Sequence, residues 1–265
     1  MAKPHNNIFK ILVMNAASVV ENAEAMIALA QYEGETVSLT AVRHFPVKGV
    51  AENLAVEVRT LIEKAHWSIH QLDMVIVVTG PGSFTGVRAT MALAAGLGLG
   101  SSVALVGLGL GEVMIPLLME DQSGRFPVCV IQARRNRLFV LTPSEDYACP
   151  LETLYLPQEE CVLAGDGMTL LRAFLHQESA LPNSLRGEWD EKEEVFIAGA
   201  ASYRFTPYVT PTIEQLVIAG LRKYQEALAV SFFNQNKKWL DFHPHYIDPP
   251  EAKRPQSGLR PAPEP

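Results

Sequence analysis

The stretch that most constrains the fold is residues 74–100. Met-Val-Ile-Val-Val at 74–78 runs into Thr79-Gly80-Pro81-Gly82-Ser83 and then into a helical segment, 84–99. An apolar run without a polar break suits a strand covered on both faces. Glycine and proline between strand and helix permit a tight reversal. A second apolar run follows at 103–108, and strand, glycine loop, helix, strand is the pattern of an α/β sheet with helices on its faces. The uncharged window Met91–Gly111 is long enough to cross a bilayer. Its six glycines and the Ser101-Ser102 pair divide it, so it reads as a buried helix, a turn and a buried strand, with no membrane span.

Helix 84–99 is apolar nearly all round, since only Thr85, Arg88 and Thr90 are clearly polar before Gly100. Such a helix has to be covered on more than one side. Ala92, Gly96 and Gly100, spaced by four, form a small-residue ridge that admits a close neighbour. Either the rest of this chain or a partner chain supplies that neighbour, and the pattern leaves both open. Residues 51–65 read as a second amphipathic helix, with Ala51, Leu54, Ala55, Val58, Leu61, Ile62 and Ala65 on one face. Val50 and Val56 fall off that stripe.

Elsewhere, 8–14, 25–31 and 36–43 read as strands, the last two joined at Glu33-Gly34 by turn chemistry. Short strands are expected at 128–131, 138–141, 162–164 and 195–198. A helix should follow Gly165-Asp166-Gly167 through His176. Thr212 and Gln215 match a capping box that opens a helix over 213–228. At 265 residues the chain suits one or two domains. A net charge of −7 argues against binding nucleic acid over a broad basic face. With 48% hydrophobic and 19% charged residues, the chain is too apolar to be disordered. Three cysteines do not make a disulfide framework, and no leader pattern opens the sequence, so a cytoplasmic protein is expected.

The loop at 80–88 carries the sharpest chemical signal. The first-turn N–H groups of the helix after it are free to meet an anion or a side-chain oxygen, and Ser83 stands at the N-cap. Gly80, Gly82, Ser83, Thr85, Gly86 and Arg88 are therefore candidates for a phosphate contact. The alternative is a glycine-rich turn that only lets helix and sheet approach. The spacing matches neither a P-loop nor G-x-G-x-x-G.

The run GPGSFTGVRATMALAAGLGLG resembles the signature of the TsaB (YeaZ) family, GPGSFTGLRIGLATAKGLA. Ile131-Gln132-Ala133-Arg134-Arg135 resembles that family's I-D-A-R-R, and Gly165-Asp166-Gly167 its G-D-G. Tyr246-Ile247-Asp248-Pro249-Pro250-Glu251-Ala252-Lys253 resembles its closing Y-L-R-P-P-D-A-K. The resemblance implies a glycoprotease-like, α/β fold of two actin-like (ASKHA, ribonuclease H-like) domains. These are expected at 1–110 and 111–248, with a Pro-rich tail at 249–265. It implies a non-catalytic partner in tRNA N6-threonylcarbamoyladenosine synthesis. Such a subunit binds a TsaD-like subunit as a heterodimer, is joined by a TsaE-like ATPase, pairs as a homodimer when alone, and meets tRNA only indirectly.

Carried onto this chain, the family's contact with TsaD falls on the helices at 51–65 and 84–99. Leu54, Val58, Leu61, Ile62, Val87, Met91, Ala92, Ala95 and Gly96 are the expected interface. No firm cofactor is implied, although ATP or ADP at the subunit interface fits the resemblance. The family's I-D-T-S is replaced by Asn15-Ala16-Ala17-Ser18, its R-G-H-S-E by Lys48-Gly49-Val50-Ala51-Glu52, and the acid of I-D-A-R-R by Gln132. Each change removes an ionisable group. This marks a diverged member and counts against the rival reading, an ATP-dependent phosphotransferase or metallohydrolase acting alone.

Three lesser signals remain. His66 and His70 have an i, i+4 metal-ligand spacing but lack a third ligand, and dipole stabilisation near a helix end accounts for them. Arg134, Arg135 and Arg137 form a basic cluster, suited to a solvated turn or an RNA phosphate. Ser83, His44 and Asp73 include the residue types of a triad, without the motif that would place them together.

Overall fold

The computed structural model describes residues 8–120, 124–177, 181–230, 239–240 and 242–247. The first part of the chain runs β1 (Phe9–Asn15), β2 (Glu24–Glu33), β3 (Thr36–Pro46), α1 (Val50–Lys64), β4 (Met74–Gly80), α2 (Phe84–Leu99), β5 (Ala104–Gly109) and α3 (Leu110–Glu120). Then come β6 (Phe126–Ala133), β7 (Arg137–Leu141), β8 (Asp146–Pro150), β9 (Glu160–Ala164), α4 (Met168–Leu175), β10 (Glu188–Asp190), β11 (Val195–Ala198) and β12 (Ala201–Phe205). The chain closes with α5 (Ile213–Val230) and β13 (Trp239–Leu240).

Two sheets result. The first has the order β13-β5-β4-β1-β2-β3 and the second β10-β11-β12-β9-β6-β7-β8. In the first, β1, β2 and β3 form an antiparallel meander, while β4 runs parallel to β1 and β5 parallel to β4. In the second, β6, β7 and β8 form the meander, while β9 runs parallel to β6 and β12 parallel to β9. One strand plan is thus used twice, which is the expected pair of actin-like units in an α/β fold.

Local chemistry explains the elements that the sequence placed well. Glu33 pairs with Thr36 across a two-residue loop in which Gly34 (φ +53°) and Glu35 (φ +69°) are both left-handed. That is the primed turn whose twist matches a hairpin. Every residue of β4 is buried, as a strand with helices on both faces requires. Leu105, paired with Val75, meets α2 at Gly98, while Ile76 meets α5 at Gly220. Adjacent strand residues point to opposite faces, so α2 and α5 cover opposite sides of the first sheet.

The second sheet alternates in the same way. Cys129 and Ile131 of β6 join the core shared with α3 and the first sheet, while Val128 and Val130 join the second core with α4. All three cysteines are buried and unbridged. Burial pushes the Cys161 thiol up to about 12, which leaves it inert.

The residues from 111 to 248 do not stay with one sheet: α3 packs between the sheets, α5 lies on the first, and β13 pairs with β5. The window Met91–Gly111 divides into the end of α2, β5 and the start of α3. Among the described residues no helix is long and apolar enough to cross a membrane. The expected tail at 249–265 lies outside the described residues.

Candidate functional site

The loop after β4 is built around backbone contact. A Cβ on Gly82, whose φ is +152°, would lie 2.0 Å from the Ala17 carbonyl oxygen, and one on Gly86 would lie 2.0 Å from that of Ala16. No side chain fits at either place, so the segment after β1 rests directly on the first turn of α2. Ser83 N–H donates to the Ala17 oxygen at 2.6 Å, and Ser83 Oγ accepts from Gly86 N–H at 3.2 Å. Val87 N–H donates to the Ser83 carbonyl. The donors that an anion would seek at Ser83 and Gly86 are taken up inside the chain. The glycines are accounted for by close approach, the plainer of the two readings of the motif.

Of the remaining motif residues, Gly80 (φ +111°) faces the His245 carbonyl, Thr85 is exposed, and Arg88 is held by aromatic rings. Its guanidinium lies 3.7 Å from the Phe84 ring centre, and its Nε donates to Tyr246 Oη at 2.6 Å. Tyr246 stacks on Phe84 with centroids 5.9 Å apart. His245 N–H donates to Thr79 O at 2.8 Å, and its Nε2 lies 3.2 Å from Asp146 Oδ2 at the start of β8. The first and closing motifs of the sequence therefore meet, and the closing one also reaches the second sheet. A cavity of about 440 Å³ opens beside them, lined in part by Thr79, Glu112, Asp146, Lys223 and His245. Lys223 Nζ there donates to Glu112 at 2.6 Å and to Gly107 O at 3.0 Å.

The ends of β1 and β6 meet through short polar contacts. Asn15, at the end of β1, accepts from Ala17 N–H at 3.1 Å, an Asx turn that shapes the loop. Asp166 is 7% exposed. It accepts from Ser18 Oγ at 2.6 Å and from Gln132 N–H at 2.9 Å. Burial raises its carboxyl above the ordinary aspartate range, while the two hydrogen bonds pull the other way. The space between Asn15, Ser18, Ile131 and Asp166 amounts to about 10 Å³. That is room for roughly one water, while a second cavity of about 440 Å³ opens beside it, lined in part by Asn15, Ser18, Glu24, His44 and Thr210.

The expected interface residues divide. Leu54, Val58, Leu61 and Ile62 of α1, and Val87 and Met91 of α2, are buried in the chain's own core. The first sheet and the packing of α1 on α2 cover the faces they occupy, so these six are unavailable to a partner. Ala95 is half-buried, and only Ala92 and Gly96 are exposed. Beyond Phe84 at its start, α2 leaves outside Thr85, Arg88, Ala92, Gly96 and Leu99, the last 81% exposed. This stripe at i, i+3, i+7, i+11 and i+14 carries one charge. On α1, Ala51, Ala55 and Val56 lie outside, Val56 at 64%, whereas Val50 joins the core.

The lesser signals do not assemble. His66, at φ +55°, follows the end of α1, and His70 sits in a separate 3-10 turn at 69–71. Among the described residues no three His, Cys, Asp or Glu side chains could hold a metal ion. Ser83 caps α2, Asp73 accepts from Lys10 N–H, and His44 lies 3.8 Å from Glu24, so those three do not meet as a triad. Arg134 and Arg135 are exposed in the turn between β6 and β7, and Arg137, half-buried, opens β7; all three line a cavity with Gly82 and Phe84.

The profile of the family described as TsaD, tRNA N6-adenosine threonylcarbamoyltransferase, matches residues 47–252. Proteins of that name from two strains of Cereibacter sphaeroides are each 26% identical to this chain over 141 residues, 50% of this chain and 39% of theirs. The chain thus spans about two-fifths of the length of the curated relatives it matches. A solved structure of YeaZ from Pseudomonas aeruginosa has a TM-score of 0.54 and 15% identity, covering 83% of this chain and 94% of that one. A second from that organism, a protein with similarity to peptidase YEAZ, has the same score and identity and covers 82% and 93%. This likeness bears out the YeaZ-like fold.

Proposed function

This chain belongs to the TsaD family, described as tRNA N6-adenosine threonylcarbamoyltransferase, and from that premise we propose that it is a non-catalytic partner of a TsaD-like subunit in making N6-threonylcarbamoyladenosine in tRNA. The observation that carries this reading is Gly96. A glycine inside a helix costs about 0.5–1 kcal/mol relative to alanine. Gly86, Gly98 and Gly220 each have a reason within the chain, because a Cβ there would collide with a neighbour. A Cβ on Gly96 would meet nothing within 4 Å. The residue sits on the outward stripe of α2, between Ala92 and Leu99, where a missing side chain lets a second helix come close.

The docking face is therefore the outer side of α1 and α2, with Ala55, Val56, Ala92, Gly96 and Leu99 at its centre. Docking holds the catalytic subunit in its active conformer by binding that conformer better. Without that subunit the same face pairs with a second copy. A TsaE-like ATPase completes the assembly in the cytoplasm, and ATP or ADP sits between subunits. The cleft of this chain supports an accessory role. Asn15 and Gln132 replace acids of the pattern that the chain resembles, the first of which would hold a metal-bound phosphate, and Asp166 is committed to Ser18 and Gln132.

Gly96→Arg tests the reading. It should abolish co-elution with the TsaD-like subunit and leave the far-ultraviolet circular dichroism spectrum unchanged, since the side chain enters open space. Unimpaired co-elution would place the interface elsewhere. Calorimetric titration of the isolated chain with ATP and Mg²⁺ addresses the rival: micromolar binding with turnover would make it an enzyme in its own right.

A further inference from the structure

Arg88 supplies the charge on the outward stripe of α2, and its neighbours hold it in place. Its guanidinium lies 3.7 Å from the Phe84 ring centre and 5.6 Å from that of Tyr246, and its Nε donates to Tyr246 Oη at 2.6 Å. Tyr246 is itself fastened, because His245 N–H donates to Thr79 O at 2.8 Å and the His245 ring lies 3.2 Å from Asp146. These contacts orient the guanidinium without cancelling its charge. Among the described residues no carboxylate pairs with Arg88, and nothing accepts from its Nη atoms. An exposed arginine ordinarily gives up rotamer freedom when it binds. Here two rings and a hydroxyl have already taken much of that freedom, and the fork of Nη donors stays open.

Arg88 and Gly96 lie on the same stripe, about 12 Å apart along the helix axis. A helix seated closely at Gly96, at the shallow crossing angle of a bundle, passes within reach of a long side chain two turns away. It also removes water from the guanidinium, and a charge stripped of water is costly unless a counter-charge replaces it. We propose that Arg88 is the ionic anchor of the docking face, its Nη fork taking the carboxylate of an aspartate or glutamate on the TsaD-like subunit. That acid stands about two helical turns from the partner's contact with Gly96. The inference deepens the docking reading and rests on it: it adds the chemistry that the partner must present beside its apolar helix. Tyr246 is a positioning residue that acts through Arg88.

Biolayer interferometry of the full chain against the purified TsaD-like subunit tests this. Arg88→Gln should raise Kd about tenfold or more, mainly through faster dissociation, with an unchanged circular dichroism spectrum. Arg88→Lys keeps a charge but loses the planar fork, and it should bind measurably less well than the native chain. Tyr246→Phe should weaken binding in the native background and have no further effect in Arg88→Gln, which a merely structural role would not produce. A water-soluble carbodiimide identifies the acid. It condenses a carboxylate with an amine, so the Arg88→Lys chain should become joined at that position to an Asp or Glu of the TsaD-like subunit, read by mass spectrometry. Four results would overturn the proposal: a smaller loss in Arg88→Gln, full binding by Arg88→Lys, an equal Tyr246→Phe effect in both backgrounds, or a crosslink from position 88 only to Glu52 of a second copy. Gly96→Arg separates the two readings. Binding lost there but kept in Arg88→Gln overturns the anchor alone; binding kept in Gly96→Arg overturns the docking reading and the anchor with it.

Discussion

Two glycines ten residues apart on α2 should respond to the same substitution with opposite signs. Replacing a helix glycine by alanine gains about 0.5–1 kcal/mol from reduced freedom of the unfolded chain and better helix propensity. Gly96→Ala collects that gain, because the new methyl group meets nothing within 4 Å. Gly86→Ala collects it too but sets its Cβ 2.0 Å from the Ala16 carbonyl oxygen. The obstacle is backbone and cannot swing aside as a side-chain tip can. Overpacking of this kind costs about 1–3 kcal/mol, and a shift of more than 1 Å belongs at the upper end. It also pulls on the neighbouring Ser83–Ala17 hydrogen bond. The net change for Gly86→Ala is therefore a loss of about 2 kcal/mol. At roughly 2–4 °C per kcal/mol for a chain of this size, Tm should rise by about 2 °C for Gly96→Ala and fall by about 4–8 °C for Gly86→Ala. Circular dichroism melts at 222 nm, with urea titrations for ΔG, give both numbers. A destabilised Gly96→Ala would mean that the chain itself occupies that space, and the argument for a partner would fail. An unchanged Gly86→Ala would refute the account of the motif loop. Added stability in Gly96→Ala should come with weaker co-elution, since the methyl group stands where the partner helix approaches.

Asp166 gives a pH signature. Its raised carboxyl pKa favours the protonated form in the folded chain. That contribution to stability is complete below the unfolded pKa and lost as pH rises through the folded one. Asp166→Asn keeps an acceptor for Gln132 N–H and stays neutral, so its stability relative to wild type should improve as pH climbs from 3 to 7; a pH-independent difference in urea titrations would count against this. At α5, Thr212 and Gln215 cap each other's backbone N–H, at 3.3 and 2.8 Å. Thr212→Ala should cost about 1 kcal/mol, measured by urea unfolding, and an effect below about 0.3 kcal/mol would deny the cap its role.

Features carried by neighbouring residues were legible in the sequence. The primed turn at Gly34, the Ser83 cap, the Thr212–Gln215 box and the strand–loop–helix unit at 74–99 all depend on residues within a few positions of one another. The elements that went unread depend on distant ones. Pro116 sits inside α3 and reads as a breaker, yet α3 holds its place by packing between the two sheets. The strands β12 and β13 are short, and their pairing with β9 and β5 defines them more than their own residues do. The repeated strand plan leaves no trace as a sequence repeat, because a sheet order constrains burial at alternate positions and tolerates many side chains there. At the candidate site, Ser18 meets Asp166 across 148 positions and Arg88 meets Tyr246 across 158. Spacing along the chain carries no signal for either.

By itself, the sequence determined the α/β character and the apolar nature of two neighbouring helices, since both follow from periodicity and turn chemistry. Only the tertiary structure decided which apolar residues stay outside. Leu54, Val58, Leu61, Ile62, Val87 and Met91 go to the chain's own core, and Val56, Ala92, Gly96 and Leu99 remain at the surface. Periodicity tells which faces of a helix avoid water; it does not tell which body covers them. The width of the first sheet and the packing of α1 on α2 set that division, and they arise from strands that lie far apart in the chain.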